Sequence, residues 1–183
     1  MSLLNTLRFI WNHPLNTDCK LAALSRFIRW QIGSRLVNAP VAVKFVDHTR
    51  LLIATGMYGA TMSIYTGLQE FEDMAFALHF LREDDLFVDI GANVGSYSIL
   101  ASGAVGARTI SVEPVPFAYH RLLDNVYLNN IANKVTALNI ALGQEAGVLN
   151  LTSGLDTVNH VVSESEVLTD VIQVPVSTLN DVL

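Results

Sequence analysis

Two carboxylates and two glycines hold the chemistry legible in this sequence. Asp89 lies in the apolar run Leu86-Phe-Val-Asp-Ile90, and Gly91 and Gly95 follow at four-residue spacing within Gly91-Ala-Asn-Val-Gly95. A strand that ends in glycines and feeds a helix brings backbone N–H groups and a helix N-terminus beside a ligand. Glu113 stands 22 residues after Gly91, closing a second apolar run, Arg108-Thr-Ile-Ser-Val-Glu113. A carboxylate there can accept hydrogen bonds from both ribose hydroxyls of an adenosine moiety. The spacing D-x-G-x-x-x-G is not the dinucleotide fingerprint G-x-G-x-x-G, which this sequence lacks. An acidic site with no phosphate-binding arginine suits a cationic adenosine ligand better than a dinucleotide.

These residues need elements to position them. Apolar spacing predicts a short amphipathic helix over 3–11 and a second helix to about Val37, capped by Thr17 or Asp18, with Leu21, Leu24, Ile28, Ile32 and Leu36 along one side. Val41–Val46 and Leu51–Ala54 flank Asp47-His-Thr-Arg50 and predict a β-hairpin. Gly56, Gly59 and Gly67 mark a looser stretch, and Glu70–Phe80 has helical spacing. From Leu86 onward the chain alternates strand, helix, strand, helix over 86–129, followed by strands at 134–141, 148–151 and 171–176. Ser177 or Thr178 is placed to cap a last helix. That order predicts an open α/β sheet, whose ligands sit at the carboxyl ends of the strands. The turns at 89–97, at Glu113-Pro114 and near Asn139–Leu142 should therefore meet.

Taken in series, Phe87-Val-Asp-Ile-Gly-Ala-Asn-Val-Gly-Ser-Tyr97, Val112-Glu-Pro-Val-Pro116, Leu123-Asp-Asn-Val-Tyr-Leu-Asn-Asn130 and Asn139-Ile-Ala-Leu-Gly143 resemble the FkbM family of class I S-adenosylmethionine (SAM) dependent methyltransferases. The resemblance covers about residues 65–183. It implies a Rossmann-like SAM-dependent methyltransferase sheet in 65–183, with a helical and β-hairpin extension over 1–64. It implies SAM as cofactor and O-methylation of a hydroxyl on a sugar or natural-product-like acceptor. It assigns the cofactor site to Asp89, Gly91, Ala92, Asn93, Gly95 and Glu113, and Glu70 falls where the family has a glutamate near the cofactor. In the family a strand with the pattern K-x-D-x-E-G follows the segment resembling Val174–Leu183, so the sheet is expected to be C-terminally incomplete here. With that, the edge of the first parallel strand should be unpaired, and a homo-oligomer is expected. No general base stands out; His160 is the one candidate. The alternative function is a catalytically inactive SAM- or nucleoside-binding module, or a fragment acting through association.

Composition bounds the rest. Half the residues are hydrophobic (51%), ample for a core, and the mean hydropathy is +0.38. Residues 1–50 carry seven Lys and Arg against two carboxylates, while the remainder carries four against fifteen. The larger, acidic part has no electrostatic footprint for nucleic acid. The basic N-terminal part suits an acidic partner or an anionic membrane surface, although the ordinary role of such charges is the solvated face of cover helices. Cys19 is alone, which excludes an internal disulfide and a Cys-based zinc site. Without a signal-like N-terminus or a long apolar run, the expected location is the cytoplasm.

Overall fold

Helix α1 (Leu3–Asn12) starts at Ser2, whose hydroxyl accepts the Asn5 N–H. A 3₁₀ turn at Pro14–Asn16 leads to α2 (Lys20–Leu36). The computed structural model describes residues 2–37, 39–152 and 171–183. The cap expected at Thr17 or Asp18 is displaced: the residue before α2 is Cys19, which makes no side-chain cap bond. Thr17 instead donates its hydroxyl to the Pro14 carbonyl, closing the preceding turn. Most of the apolar side of α2 read from the spacing faces outward. Ala23 is its buried residue, whereas Leu21, Ile28, Ile32 and Leu36 face solvent.

Strands β1 (Val41–Lys44) and β2 (Arg50–Ile53) form the expected antiparallel hairpin, with Lys44 opposite Arg50. The stretch expected to be loose is helix α3 (Tyr58–Thr66). Two of its three glycines bound the helix rather than break it: Gly56 and Gly67 take φ of 96° and 84°, which glycine adopts without a Cβ penalty. Helix α4 (Phe71–Phe80) then leads into the parallel sheet.

That sheet consists of β3 (Leu86–Ile90), β4 (Arg108–Val112) and β5 (Val135–Leu138) in the order β3-β4-β5, all parallel. The crossovers are α5 (Ser96–Ser98), continued by a π-helical segment at Ile99–Val105, and α6 (Pro116–Leu128). The α/β class with a parallel sheet read from the sequence is the class the chain adopts. Among the described residues β3 pairs on one side only, with β4. The strand expected over 134–141 is divided. β5 ends at Leu138, and β6 (Ala141–Leu142) joins β7 (Gly147–Thr152) and β8 (Val171–Ser177) in a separate sheet ordered β6-β8-β7. Thr178 caps α7 (Leu179–Val182) by accepting the Asp181 N–H, as its sequence position predicts.

Two apolar clusters flank the parallel sheet. One joins Leu51, Ile53 and Met57 of the hairpin region to Val94, Ile99 and Leu122, so the hairpin shares a core with the glycine turn. The other packs Met74 and Leu81 against Leu100. No helix among the described residues is long and apolar enough to cross a membrane.

Candidate functional site

The turn between β3 and α5 is set by backbone geometry. Gly91 (φ 74°) and Gly95 (φ 87°) adopt left-handed conformations, as does Asn93 (φ 50°). Left-handed backbone is cheap for glycine and tolerated by asparagine. Their reasons for being glycine differ. A Cβ on Gly95 would come within 2.4 Å of Leu122 Cδ1 on α6, whereas one on Gly91 would meet nothing within 4 Å. Gly95 lets α6 close on the turn, and Gly91 leaves open space at the end of β3.

The amides of this turn are spent inside the chain, contrary to the expectation that they would be free for a ligand. Gly91 and Ala92 both donate to the Val112 carbonyl, at 2.9 and 3.0 Å, and Gly95 donates to Ala92. Val94 donates to the side chain of Asn93. The Asn93 N–H donates to Glu113 Oε2 at 2.7 Å. The anion that the turn holds is therefore the protein's own carboxylate.

Glu113 follows the last residue of β4 and is buried. Its other oxygen accepts the Val115 N–H at 2.8 Å. A carboxylate offers about four lone-pair directions, so two remain after these bonds. Burial pushes its pKa up, the Val115 and Asn93 amides pull it back, and the charge of Asp89 adds to the rise. Behind it, Asn139 donates to the carbonyls of Glu113 (2.8 Å) and Pro114 (3.0 Å). The break between β5 and β6 thus has a use: it turns Asn139 onto the end of β4. The three turns placed together by the topology do meet.

Asp89 faces Ser98, the last residue of α5. Its Oδ2 accepts the Ser98 hydroxyl at 2.6 Å, and Ser98 Oγ lies 2.7 Å from Ser111 Oγ. Ser98 has one proton and gives it to Asp89, so Ser111 is the donor in the second contact. All three residues are buried. Burial raises the Asp89 pKa, and the Ser98 side-chain and backbone hydrogen bonds counter it. Asp89 thus ties β3, β4 and α5 together at the root of the turn.

Glu70, just before α4, reaches the same region from outside the sheet. Its Oε2 accepts the Tyr97 hydroxyl proton at 2.7 Å, and the Tyr97 ring stacks on Phe87 of β3 with centroids 6.5 Å apart. Burial, then the hydrogen bond and charge of Glu70, push the Tyr97 pKa well up, so it is a neutral donor. Glu70 also lines a groove of ≈ 540 Å³ between α1 and α4, together with Arg8, His13 and Gln69. His13 is buried, its Nδ1 accepts the Leu15 N–H, and burial lowers its pKa, offset in part by the Leu68 carbonyl. With Nδ1 accepting, the proton of the neutral ring sits on Nε2, which has no well-aligned partner.

Residues Asp89, Gly91, Ala92, Asn93, Gly95 and Glu113 lie in one contiguous patch, with Glu70 joined to it through Tyr97. His160 lies outside the described residues. Sequence reasoning assigned no role to Ser98, Asn125 or Asn139. The two asparagines lie in the segments Leu123–Asn130 and Asn139–Gly143 that carry the family resemblance, but spacing alone does not say what they bind. Ser98 carried no signal.

No protein-family profile matches the chain. A curated relative, Methyltransferase sdnD of Sordaria araneosa, is 34% identical over 83 residues, covering 45% of this chain and 32% of that protein. The chain thus spans about a third of the length of the relative it matches. Among solved structures, the M. jannaschii tRNA m1G37 methyltransferase aligns over 62% of this chain and 43% of its own, at 18% identity and a TM-score of 0.41. A geranyl diphosphate methyltransferase in complex with GPP and sinefungin aligns over 74% and 47%, at 19% identity and a TM-score of 0.37.

Proposed function

We propose that this chain carries the cofactor-binding part of a SAM-dependent methyltransferase of the FkbM type, acting on a hydroxyl of a small sugar or natural-product-like acceptor. The observation that carries the proposal is the Glu113–Asn93 bond. It fastens an acidic residue at the end of β4 to a glycine turn at the end of β3, beside open space at Gly91. Similarity to a protein named as a methyltransferase supports the same reading.

The residues fit the cofactor's chemistry. Glu113 retains two acceptor directions for ribose hydroxyls, and Asp89 and Glu113 set negative charge around a ligand that is cationic at sulfur. Bound there, SAM supplies a methyl group that an acceptor oxygen can take, with S-adenosylhomocysteine and a proton as the other products. The chain's own residues do the positioning. Gly91 keeps the end of β3 clear, Asn93 orients Glu113, Asn139 fixes the backbone beneath it, and Asp89 holds α5 to the sheet. Glu70 and Tyr97 connect this site to the groove between α1 and α4, through which the acceptor is proposed to enter. Self-association through the side of β3 that pairs with no strand among the described residues belongs to the same proposal, since an unpaired strand edge recruits a partner strand.

Calorimetric titration of the protein with S-adenosylhomocysteine, sinefungin and NADH tests the cofactor assignment. Binding of the first two and not the third is expected; NADH binding alone overturns it. Incubation with methyl-labelled SAM and a panel of hydroxyl acceptors then tests turnover. Cofactor binding with no transfer to any acceptor favours the inactive binding module instead.

A further inference from the structure

We propose that the outer face of the α1–α2 hairpin docks onto an anionic membrane surface. The starting observation is the outward-facing apolar stripe of α2. At 100° per residue, Leu21, Ile28, Ile32 and Leu36 form one stripe on the side opposite Ala23. Ala23 is fully buried, whereas the stripe residues are 79%, 54%, 58% and 79% exposed. The helix therefore packs on the body through small and aromatic residues (Ala23, Phe27, Trp30) and turns its large aliphatic ones outward.

The stripe continues into α1. Leu3, Leu4 and Trp11 are exposed. Between the helices runs an apolar groove of ≈ 700 Å³ whose walls include Leu7, Leu24 and Ile28. Exposed aliphatic residues standing singly need no explanation, but a continuous apolar surface over two helices marks a contact site.

Charge identifies the occupant. Neither helix contains an aspartate or glutamate, while Arg8, Lys20, Arg26, Arg29 and Arg35 lie on them. Arg8, Arg29 and Arg35 are exposed, and the Lys20 ammonium stands 4.8 Å over the Trp11 ring at the edge of the groove. An apolar face bordered by cations, with a tryptophan among them, is the pattern of helices that lie in the interface of a bilayer with negatively charged headgroups. A second copy fits less well. A two-fold contact would set this cationic face against itself, and like charges across an interface oppose association. The net negative charge of the rest of the chain also makes attachment directional. The anionic surface attracts the hairpin and repels the body, which would leave the remainder projecting toward water.

Flotation of the full chain with phosphatidylcholine vesicles and with phosphatidylcholine–phosphatidylserine vesicles tests the proposal. The bound fraction is expected to be roughly tenfold higher on the anionic vesicles and to fall at high salt. The triple variant Leu21→Glu, Ile28→Glu, Ile32→Glu changes only exposed positions and should retain the parent circular dichroism while losing flotation. Arg8→Gln with Arg29→Gln should erase the preference for anionic vesicles. Absence of flotation on anionic vesicles, or flotation of the triple variant equal to the parent, overturns it. So does a concentration-dependent dimer that the triple variant abolishes, which would identify a second copy as the occupant. Equal binding to soluble polyglutamate would identify an acidic polypeptide and likewise overturn it. None of these readouts depends on SAM binding.

Discussion

The side-chain amide of Asn125 donates to the Val94 carbonyl at 2.7 Å, and the same side chain accepts the Leu52 N–H at 2.6 Å. One fully buried residue on α6 thus links the glycine turn to strand β2. Asn129, one helical turn on, accepts the Arg50 N–H and donates to the Arg50 carbonyl, both at 2.8 Å. The pairing works because alternate strand residues recur about every 6.8 Å and helix residues four apart about every 6.0 Å. Asn125 on α6 and Asn129 at its C-cap therefore stand in for a neighbouring strand along the outer side of β2.

Asn125→Ala would leave the Leu52 N–H and the Val94 carbonyl unpaired in or near the core. At about 1–3 kcal/mol for each unsatisfied group, a loss of roughly 2–6 kcal/mol is expected. Denaturant titration measures it. Because Val94 lies in the turn, affinity for S-adenosylhomocysteine should fall as well; an unchanged midpoint would mean that the two contacts contribute nothing net.

The two turn glycines should respond differently to alanine. Gly91→Ala meets only the left-handed backbone cost, about 1–2 kcal/mol. Gly95→Ala meets the same cost and a clash with Leu122 Cδ1, so its midpoint should drop further. Equal destabilisation in a thermal melt would show that Leu122 yields freely.

Glu113→Ala removes the acceptor for the Asn93 and Val115 amides as well as the proposed ribose contact. Cofactor affinity should weaken at least about tenfold, equivalent to roughly 1.4 kcal/mol. Equal calorimetric affinity for variant and parent would remove Glu113 from the site.

The two buried carboxylates predict a pH signature. Burial raises Asp89 and Glu113 above their ordinary values of 3.8 and 4.5. A carboxyl group with a raised folded pKa adds stability that is full below its unfolded pKa and is lost as pH rises through the folded value. The free chain should therefore lose this contribution on going from strongly acidic toward neutral conditions. A cationic cofactor favours the ionised forms, so SAM binding should weaken as pH falls through the raised folded pKa values and should release protons there. Calorimetry in buffers of different ionisation enthalpy counts those protons; proton uptake would contradict the assignment.

Tyr97→Phe deletes the hydrogen bond that joins Glu70 to the turn while keeping the ring that stacks on Phe87. Stability should change by about 1 kcal/mol or less, since the bond is exposed. If Glu70 belongs to the cofactor site through Tyr97, affinity for S-adenosylhomocysteine should fall in parallel with Glu70→Gln; a Glu70→Gln effect untouched by Tyr97→Phe would give Glu70 a role of its own.

By itself the sequence determined the α/β alternation, the turn at 89–97 and the meeting of that turn with Glu113. Each follows from local rules: apolar runs of strand length, glycines where φ must be positive, and the requirement that parallel strands end on the same side of a sheet. Tertiary structure decided the rest, because it depends on which groups meet across distance. The turn amides are satisfied by Val112 and Glu113 rather than left for a ligand, which spacing along the chain cannot reveal. The break after Leu138 depends on Asn139 finding the Glu113 and Pro114 carbonyls. Periodicity correctly marked an apolar stripe on α2 but could not say which way it faces: Ala23 lets the helix approach the body closely, and the aliphatic side is left outward.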